Sequence, residues 1–93
     1  MKIQIALDDL NQSFEGRDAA DLLHQAKGEA ARRAPLLMRA VINRMSDLSF
    51  AGEVVKRANQ QEKRGDALPQ SAQQFLDWAV RRGYAKVVES PNA

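Results

Sequence analysis

The chain has 93 residues, which is the size of one small domain. Hydrophobic residues make up 44% of it and charged residues 28%, as in folded globular proteins and unlike disordered ones. Because the chain contains no cysteine, the composition excludes a disulfide scaffold, thiolate metal sites, iron–sulfur ligation and a cysteine nucleophile.

Charge is distributed unevenly along the chain. Residues 1–30 carry three basic and six acidic side chains, whereas residues 31–64 carry eight basic and three acidic ones. A basic middle segment of this kind would meet either an anionic partner or the acidic N-terminal segment of the same chain. No apolar run approaches the roughly 20 residues of a membrane span, and the first residues lack the apolar core of a signal peptide. We therefore expect a cytoplasmic protein that has no membrane contact.

The two ends of the chain are predicted to form strands. Lys2–Leu7 alternates apolar and polar residues with period two, as in a half-buried strand. Residues 8–11 have the Asp and Asn content of a turn, and the sequence leaves open whether residues 12–15 return as a second, antiparallel strand. Residues 84–89 are rich in β-formers and follow a helix stop, so they predict a last strand that pairs with the first.

Four helices are predicted between these strands. The residues that favour a helix start are Asp18, Pro35, Ser46 and Ser71, the last in a capping box with Gln74. The predicted ends lie at Ala34, Met45, Gly65 and Gly83. Together these elements predict an α+β fold, with about four α-helices packed on a small sheet of the N-terminal strand or hairpin and the C-terminal strand. One domain would span residues 1–89, followed by a frayed tail at residues 90–93.

Apolar spacing predicts which helix faces are buried. The third helix would bury Leu48, Ala51, Val54, Val55 and Ala58. The fourth would bury Ala72, Phe75, Leu76, Ala79 and Val80, with Trp78 on its flank.

The second helix has apolar residues on more than half of its circumference: Leu36, Leu37, Met38, Ala40, Val41, Ile42 and Met45. Such a helix is either central in the core or partly an interface between copies of the chain. Met38 and Ile42 lie farthest from the centre of the apolar arc, so they are the residues expected to stay exposed in a monomer and to form a protein interface.

Arg44 falls inside the same apolar arc, between Leu37, Ala40 and Val41. A charge in that place must reach solvent or be paired, because an isolated buried guanidinium is very costly. We expect an intramolecular pair with Asp47, Glu53 or Asp77. The alternative is that Arg44 reaches a carboxylate of a partner or a phosphate of a nucleic acid.

Residues 35–45 and 48–63 have the proportions of a helix-turn-helix. The second helix of that pair carries four basic residues that would contact an anion or nucleic acid: Lys56, Arg57, Lys63 and Arg64. Against this reading, the first turn of that helix has few base-reading side chains apart from Ser49, and Glu53 would repel phosphate.

Catalytic and metal-binding signals are weak. His24 is the only histidine and has no convincing orienting partner nearby in the sequence. The acidic pairs Asp8–Asp9 and Asp18 with Asp21 are explained by a turn and a helix cap. The five glycines are isolated, so no phosphate loop is formed. We expect no enzyme, no cofactor and no metal site.

The sequence therefore favours a small non-enzymatic protein-interaction or regulatory domain, whose partner is an unknown protein or a second copy of the chain. The alternative is a nucleic-acid-binding module of the helix-turn-helix kind that uses the basic residues 31–64.

Overall fold

A computed structural model of the chain describes residues 2–7 and 10–88. Within them the elements in chain order are β1 (Lys2–Leu7), β2 (Leu10–Glu15), α1 (Ala19–Arg33), α2 (Leu36–Arg44), α3 (Asp47–Glu62), α4 (Ala72–Arg81) and β3 (Ala85–Val87). Four helices pack on a three-stranded antiparallel sheet, which confirms the predicted α+β class. The predicted tail at residues 90–93 lies outside the described residues. None of the described helices is both long and apolar enough to cross a membrane.

The sheet joins the two ends of the chain, as predicted. β1 lies in the middle and pairs with β2 on one side and β3 on the other, so Ile3 lies opposite both Phe14 and Val87. The return strand is present, but it begins at Leu10, two residues before the segment considered from the sequence. Backbone pairing with β1 therefore prevails over the turn preference of Asn11. Asp8 and Asp9 lie outside the described residues.

The last strand is shorter than residues 84–89. Only Ala85–Val87 form β3, but backbone hydrogen bonds extend the contact with β1 at both ends. The N–H of Ala6 donates to the carbonyl of Tyr84 at 2.8 Å, and the N–H of Val88 donates to the carbonyl of Lys2 at 2.8 Å. Glu89 lies outside the described residues.

Side-chain caps begin three of the helices where the sequence predicts them. The side chains of Asp18, Ser46 and Ser71 accept hydrogen bonds from the backbone N–H groups three residues further on. The capping box at Ser71 is incomplete, because Gln74 accepts from the N–H of Gln70 rather than from that of Ser71.

The predicted range of α3, residues 48–63, agrees with the structure within one residue, but the residue that stops the helix is not Gly65. The helix stops at Lys63, which takes the left-handed conformation with φ of 54°. A C-terminal cap of this kind usually has glycine or asparagine, so the sequence favoured the nearby glycine.

The core lies between the sheet and α1, α3 and α4. Its buried residues on these helices include Leu22, Leu23, Ala26, Phe50, Ala51, Val55, Phe75, Leu76 and Trp78. Three predictions about helix faces are wrong: Trp78 is buried, whereas Val80 and Leu48 are exposed. The indole of Trp78 is held inside because it lies between the rings of Phe75 and Tyr84, at centroid distances of 5.8 and 5.3 Å.

Candidate interaction surface

Helix α2 lies on the outside of the domain, although most of its residues are apolar. It packs on α1, and none of its residues is buried. Of the two alternatives that the sequence left open for this helix, a place in the centre of the core is wrong. The core is closed by α1, α3 and α4, and within the described residues the main neighbour of α2 is α1.

The side of α2 that faces the domain carries Ile42, and Met45 follows as the C-cap of the helix. Both side chains pack against the core while remaining partly exposed. Met38 lies one turn before Ile42 and is 44% exposed. The sequence placed Met38 and Ile42 at the most exposed edge of the apolar arc. For Ile42 that placement is wrong, because α2 turns this edge of its apolar arc toward the domain. The centre of the arc faces solvent instead.

The opposite side, which we call the α2 outer face, consists of Leu36, Leu37, Ala40, Val41 and Arg44. Helical spacing of about 100° per residue places Arg44 at the middle of this face, with Leu36 and Ala40 on one flank and Leu37 and Val41 on the other. Leu37 is 83% exposed, Leu36 76% and Val41 48%. Large aliphatic side chains this exposed on one side of a helix are typical of an interaction surface.

Arg44 does not make the intramolecular pair that the sequence favoured. It is exposed and makes no hydrogen bond or ion pair with the described part of the chain. The three expected carboxylates have other contacts: Asp47 pairs with His24 and Lys27, Glu53 with Lys56, and Asp77 with Gln73. Arg44 has no need of a partner within the chain, since the apolar arc around it faces solvent.

Arg39 fixes α2 to the rest of the domain. Its Nε donates to the carbonyl of Ala31 at 3.1 Å, and its Nη2 donates to the carbonyl of Arg32 at 3.2 Å. These carbonyls belong to the last turn of α1, where a cation also favours the negative end of the helix dipole. The chain turns between the two helices at Ala34 and Pro35. The outer face is therefore carried by an element that is held at a defined angle.

The four basic residues predicted to contact an anion do not form one open stripe. Lys56 pairs with Glu53 at 3.4 Å on the surface of α3, and Arg57 and Lys63 are exposed. Arg64 is turned toward the domain, where its Nη2 donates to the hydroxyl of Tyr84 at 2.7 Å. The helix-turn-helix interpretation also requires α2 and α3 to pack as a pair, whereas α2 packs on α1.

Asp66 organises the region around Arg64. Its carboxylate accepts hydrogen bonds from Nε1 of Trp78 at 2.8 Å and from Nε of Arg82 at 2.9 Å, and Nε of Arg64 lies 3.7 Å away. Its backbone N–H and carbonyl bond the side chain of Asn59. The hydrogen bonds from Arg82 and Trp78 lower the pKa of Asp66 from its ordinary 3.8 to about 2. This network connects the loop after α3 to α4 and has a structural role.

The structure gives His24 a partner that the sequence did not indicate. Nδ1 of His24 lies 3.1 Å from Oδ2 of Asp47, and Nζ of Lys27 lies 3.5 Å from the other oxygen of that carboxylate. The histidine side chain is 73% exposed, so this group lies on the surface between α1 and the start of α3 and not in a cleft. The contact links the start of α3 to α1 at the surface, next to the buried core that these helices share.

Other candidate sites have a structural explanation. Asp18 caps α1, and the hydrogen bond from the N–H of Arg17 lowers the pKa of Asp21. No three histidine or acidic side chains among the described residues converge on a metal-sized space. The core contains an apolar cavity of about 40 Å³, lined by side chains that include Leu22, Phe50 and Phe75.

Comparison with protein-family models, with curated proteins and with solved structures finds no match to this chain. The geometry of the chain itself is therefore the basis for a functional assignment, and the α2 outer face is its most unusual surface.

Proposed function

We propose that this chain is a small non-enzymatic protein-interaction domain, and that it binds its partner through the α2 outer face. The observation that carries the proposal is the exposure of Leu36, Leu37 and Val41 around Arg44, which has no partner in the described part of the chain. Aliphatic side chains that stay in water do not contribute the favourable free energy of burial. A partner protein that covered them would gain that free energy as binding affinity.

The way in which α2 is held supports the same function. An element whose ends and backbone are fixed loses little conformational freedom on binding, so more of the interaction energy appears as affinity. Arg39 provides this anchorage through the carbonyls of Ala31 and Arg32. The inner residues Ile42 and Met45 add contacts with the core. The two sides of α2 thus have separate roles, one for attachment and one for binding.

Nucleic-acid binding, the alternative expected from the sequence, has weaker support. Phosphate recognition needs several basic side chains that reach solvent on one face. Arg64 is instead bonded to Tyr84 and lies beside Asp66, and Lys56 is paired with Glu53.

Photo-crosslinking in cells of the organism that encodes the chain tests the proposal. A photoreactive amino acid is placed at Leu37 or at Val41, and, in a matched control, at Gln60, an exposed residue of α3. We expect a discrete protein adduct from positions 37 and 41 that is missing from position 60. Adducts of equal intensity from all three positions, adducts with nucleic acid, or no protein adduct from α2 would contradict the proposal.

A further inference from the structure

Resting on the proposed function, we infer that the partner is an acidic amphipathic helix of a different protein, which covers the α2 outer face and places a carboxylate against Arg44. The outer face is a convex ridge about 13 Å long, at 1.5 Å per residue over nine residues. A second helix fits such a ridge by packing side-chain rows into grooves. The positive charge of α2 determines which side chains that second helix must carry.

No carboxylate lies within α2. Its nine residues include Arg39 and Arg44 and neither Asp nor Glu. Arg39 already donates its hydrogen bonds to the end of α1, so Arg44 is the cation that this helix leaves for a partner. Because Arg44 lies at the middle of the α2 outer face, a carboxylate of the partner would bind there.

Covering the outer face with a purely apolar surface would be unfavourable. The guanidinium of Arg44 would lose its water while gaining no hydrogen-bond acceptor, and such desolvation is costly for a charge. A carboxylate matches the planar fork of arginine with two parallel hydrogen bonds. A partner with apolar residues around one Asp or Glu therefore satisfies the whole face at once.

A second copy of this chain that pairs through the same face does not have that chemistry. A twofold dimer would bring the same surface against itself. Between Glu29 and Met45 the chain carries four arginines and one glutamate, so two segments of charge +3 would meet. Glu29 is already bonded by Arg32 and Arg33, which lower the pKa of its carboxyl. Like charges across an interface disfavour the pairing.

An anionic membrane is also a poor fit for this face. Interfacial helices carry their cations opposite the apolar side and often have aromatic residues on it. In α2 the cation is central to the apolar side, and the helix contains no aromatic residue. Insertion of Leu37 and Val41 into lipid would bury Arg44 with them.

The test is selection from a displayed library of 18-residue helical peptides. Leucine is fixed at positions i, i+3, i+4 and i+7, and the other positions are drawn equally from Ala, Gln, Glu and Lys. The library is selected on the whole chain and depleted on the uncharged double variant Leu37→Gln with Val41→Gln, so that depletion does not itself favour acidic peptides. We expect survivors to carry Glu at one position beside the leucines.

Single substitutions then locate the carboxylate contact. Arg44→Gln should weaken the selected peptides about ten- to a hundredfold, the range for a hydrogen-bonded charge. Arg81→Gln, which changes an exposed arginine of α4, is the matched control and should leave the affinity unchanged. Selection on Arg44→Glu should enrich Lys in place of Glu.

Each opposite result has a distinct meaning. Peptides that need Leu37 and Val41 but show no preference for Glu would overturn this inference and leave the proposed function standing. Failure to recover any peptide that depends on those two residues would overturn both. A wild-type dimer in light scattering that Leu37→Glu dissociates would overturn the inference in favour of a second copy. Binding to phosphatidylglycerol vesicles that the same substitution abolishes would overturn it in favour of a membrane.

Discussion

Helices α2 and α4 have almost the same length, nine and ten residues, yet they lie in opposite environments. α4 contacts α1, α3 and β3 and buries Phe75, Leu76, Trp78 and Ala79, whereas α2 contacts α1 and buries none of its residues. The apolar content of a helix therefore does not fix its depth in the domain. Depth depends on how many of its sides have a neighbouring element.

The charges of the two helices differ in the same way. At the end of α4, Arg82 is bonded to Asp66, which also accepts from Trp78 and lies near Arg64. At the end of α2, Arg44 has no partner in the described part of the chain. The α4 end is thus a closed network that stabilises the fold, and the α2 end is open to a second molecule.

The largest expected effect is at the buried side of α4. Replacing Trp78 by alanine should lower the free energy of unfolding by about 3–5 kcal/mol, because it removes a buried aromatic ring and leaves a cavity. Chemical denaturation measures this directly. Val80→Ala on the same helix is the control, and we expect a loss below about 1 kcal/mol there, because Val80 is exposed. Equal losses would mean that the wrong side of α4 has been assigned to the core.

The sequence predicts the α4 end of the fold better than the α2 end. Ser71 and Gly83 mark the limits of α4, so its position follows from the sequence. Spacing also finds most of its core face, with Phe75, Leu76 and Ala79 buried, but it misplaces Trp78 and Val80. In α2 the apolar residues cover more than half of the helix, and spacing alone does not say which half faces the domain. The position of Arg44 could have shown which half of α2 faces solvent, since a charge inside a wide apolar arc marks the side that faces water.

Contacts between distant parts of the chain explain two further differences between sequence and structure. Trp78 is buried through contacts with Tyr84 and Asp66, which lie on different segments. His24 meets Asp47 across 23 positions in the sequence. Neither pair has a periodic or local signature, so only the folded chain brings them together.

The next prediction asks whether the ionised carboxylate of Asp66 stabilises the network at the end of α4. The folded carboxyl has a pKa of about 2, below its ordinary 3.8, so its stabilising effect is complete above about pH 4 and is lost as the pH falls toward about 2. We expect Asp66→Asn to unfold at a lower temperature than wild type at pH 7. The gap in Tm should narrow between about pH 4 and pH 2, measured by circular dichroism.

A gap in Tm that stays constant across that pH range would contradict a role for the ionised carboxylate. Asp77→Asn is the matched control, since Asp77 lies on the exposed side of α4 and bonds only the side chain of Gln73 among the described residues. Its Tm should follow that of wild type throughout the titration.

The two sides of α2 are distinguished by adjacent residues. Ile42→Ala should lower the free energy of unfolding by about 1–2 kcal/mol, less than the loss at a fully buried isoleucine, because Ile42 is only partly buried against the core. Val41→Ala should cost less than about 0.5 kcal/mol, since Val41 lies on the outer face. Urea denaturation of both variants gives the comparison. A reversed order would mean that α2 is rotated relative to the domain.

The smallest expected effect on stability is the one that defines the α2 outer face. Leu37→Glu with Val41→Glu should change the free energy of unfolding by less than about 0.5 kcal/mol, because both side chains are exposed and glutamate is a good helix former. Repulsion between the two new carboxylates is offset by the pairing of Glu at position 41 with Arg44 one turn later. Ile42→Glu is the contrast, since it places a charge at a partly buried position against the core and should lower the free energy of unfolding by more than about 1 kcal/mol. If the outer-face double variant loses as much stability as Ile42→Glu, those residues are buried by the chain itself and cannot be the binding surface.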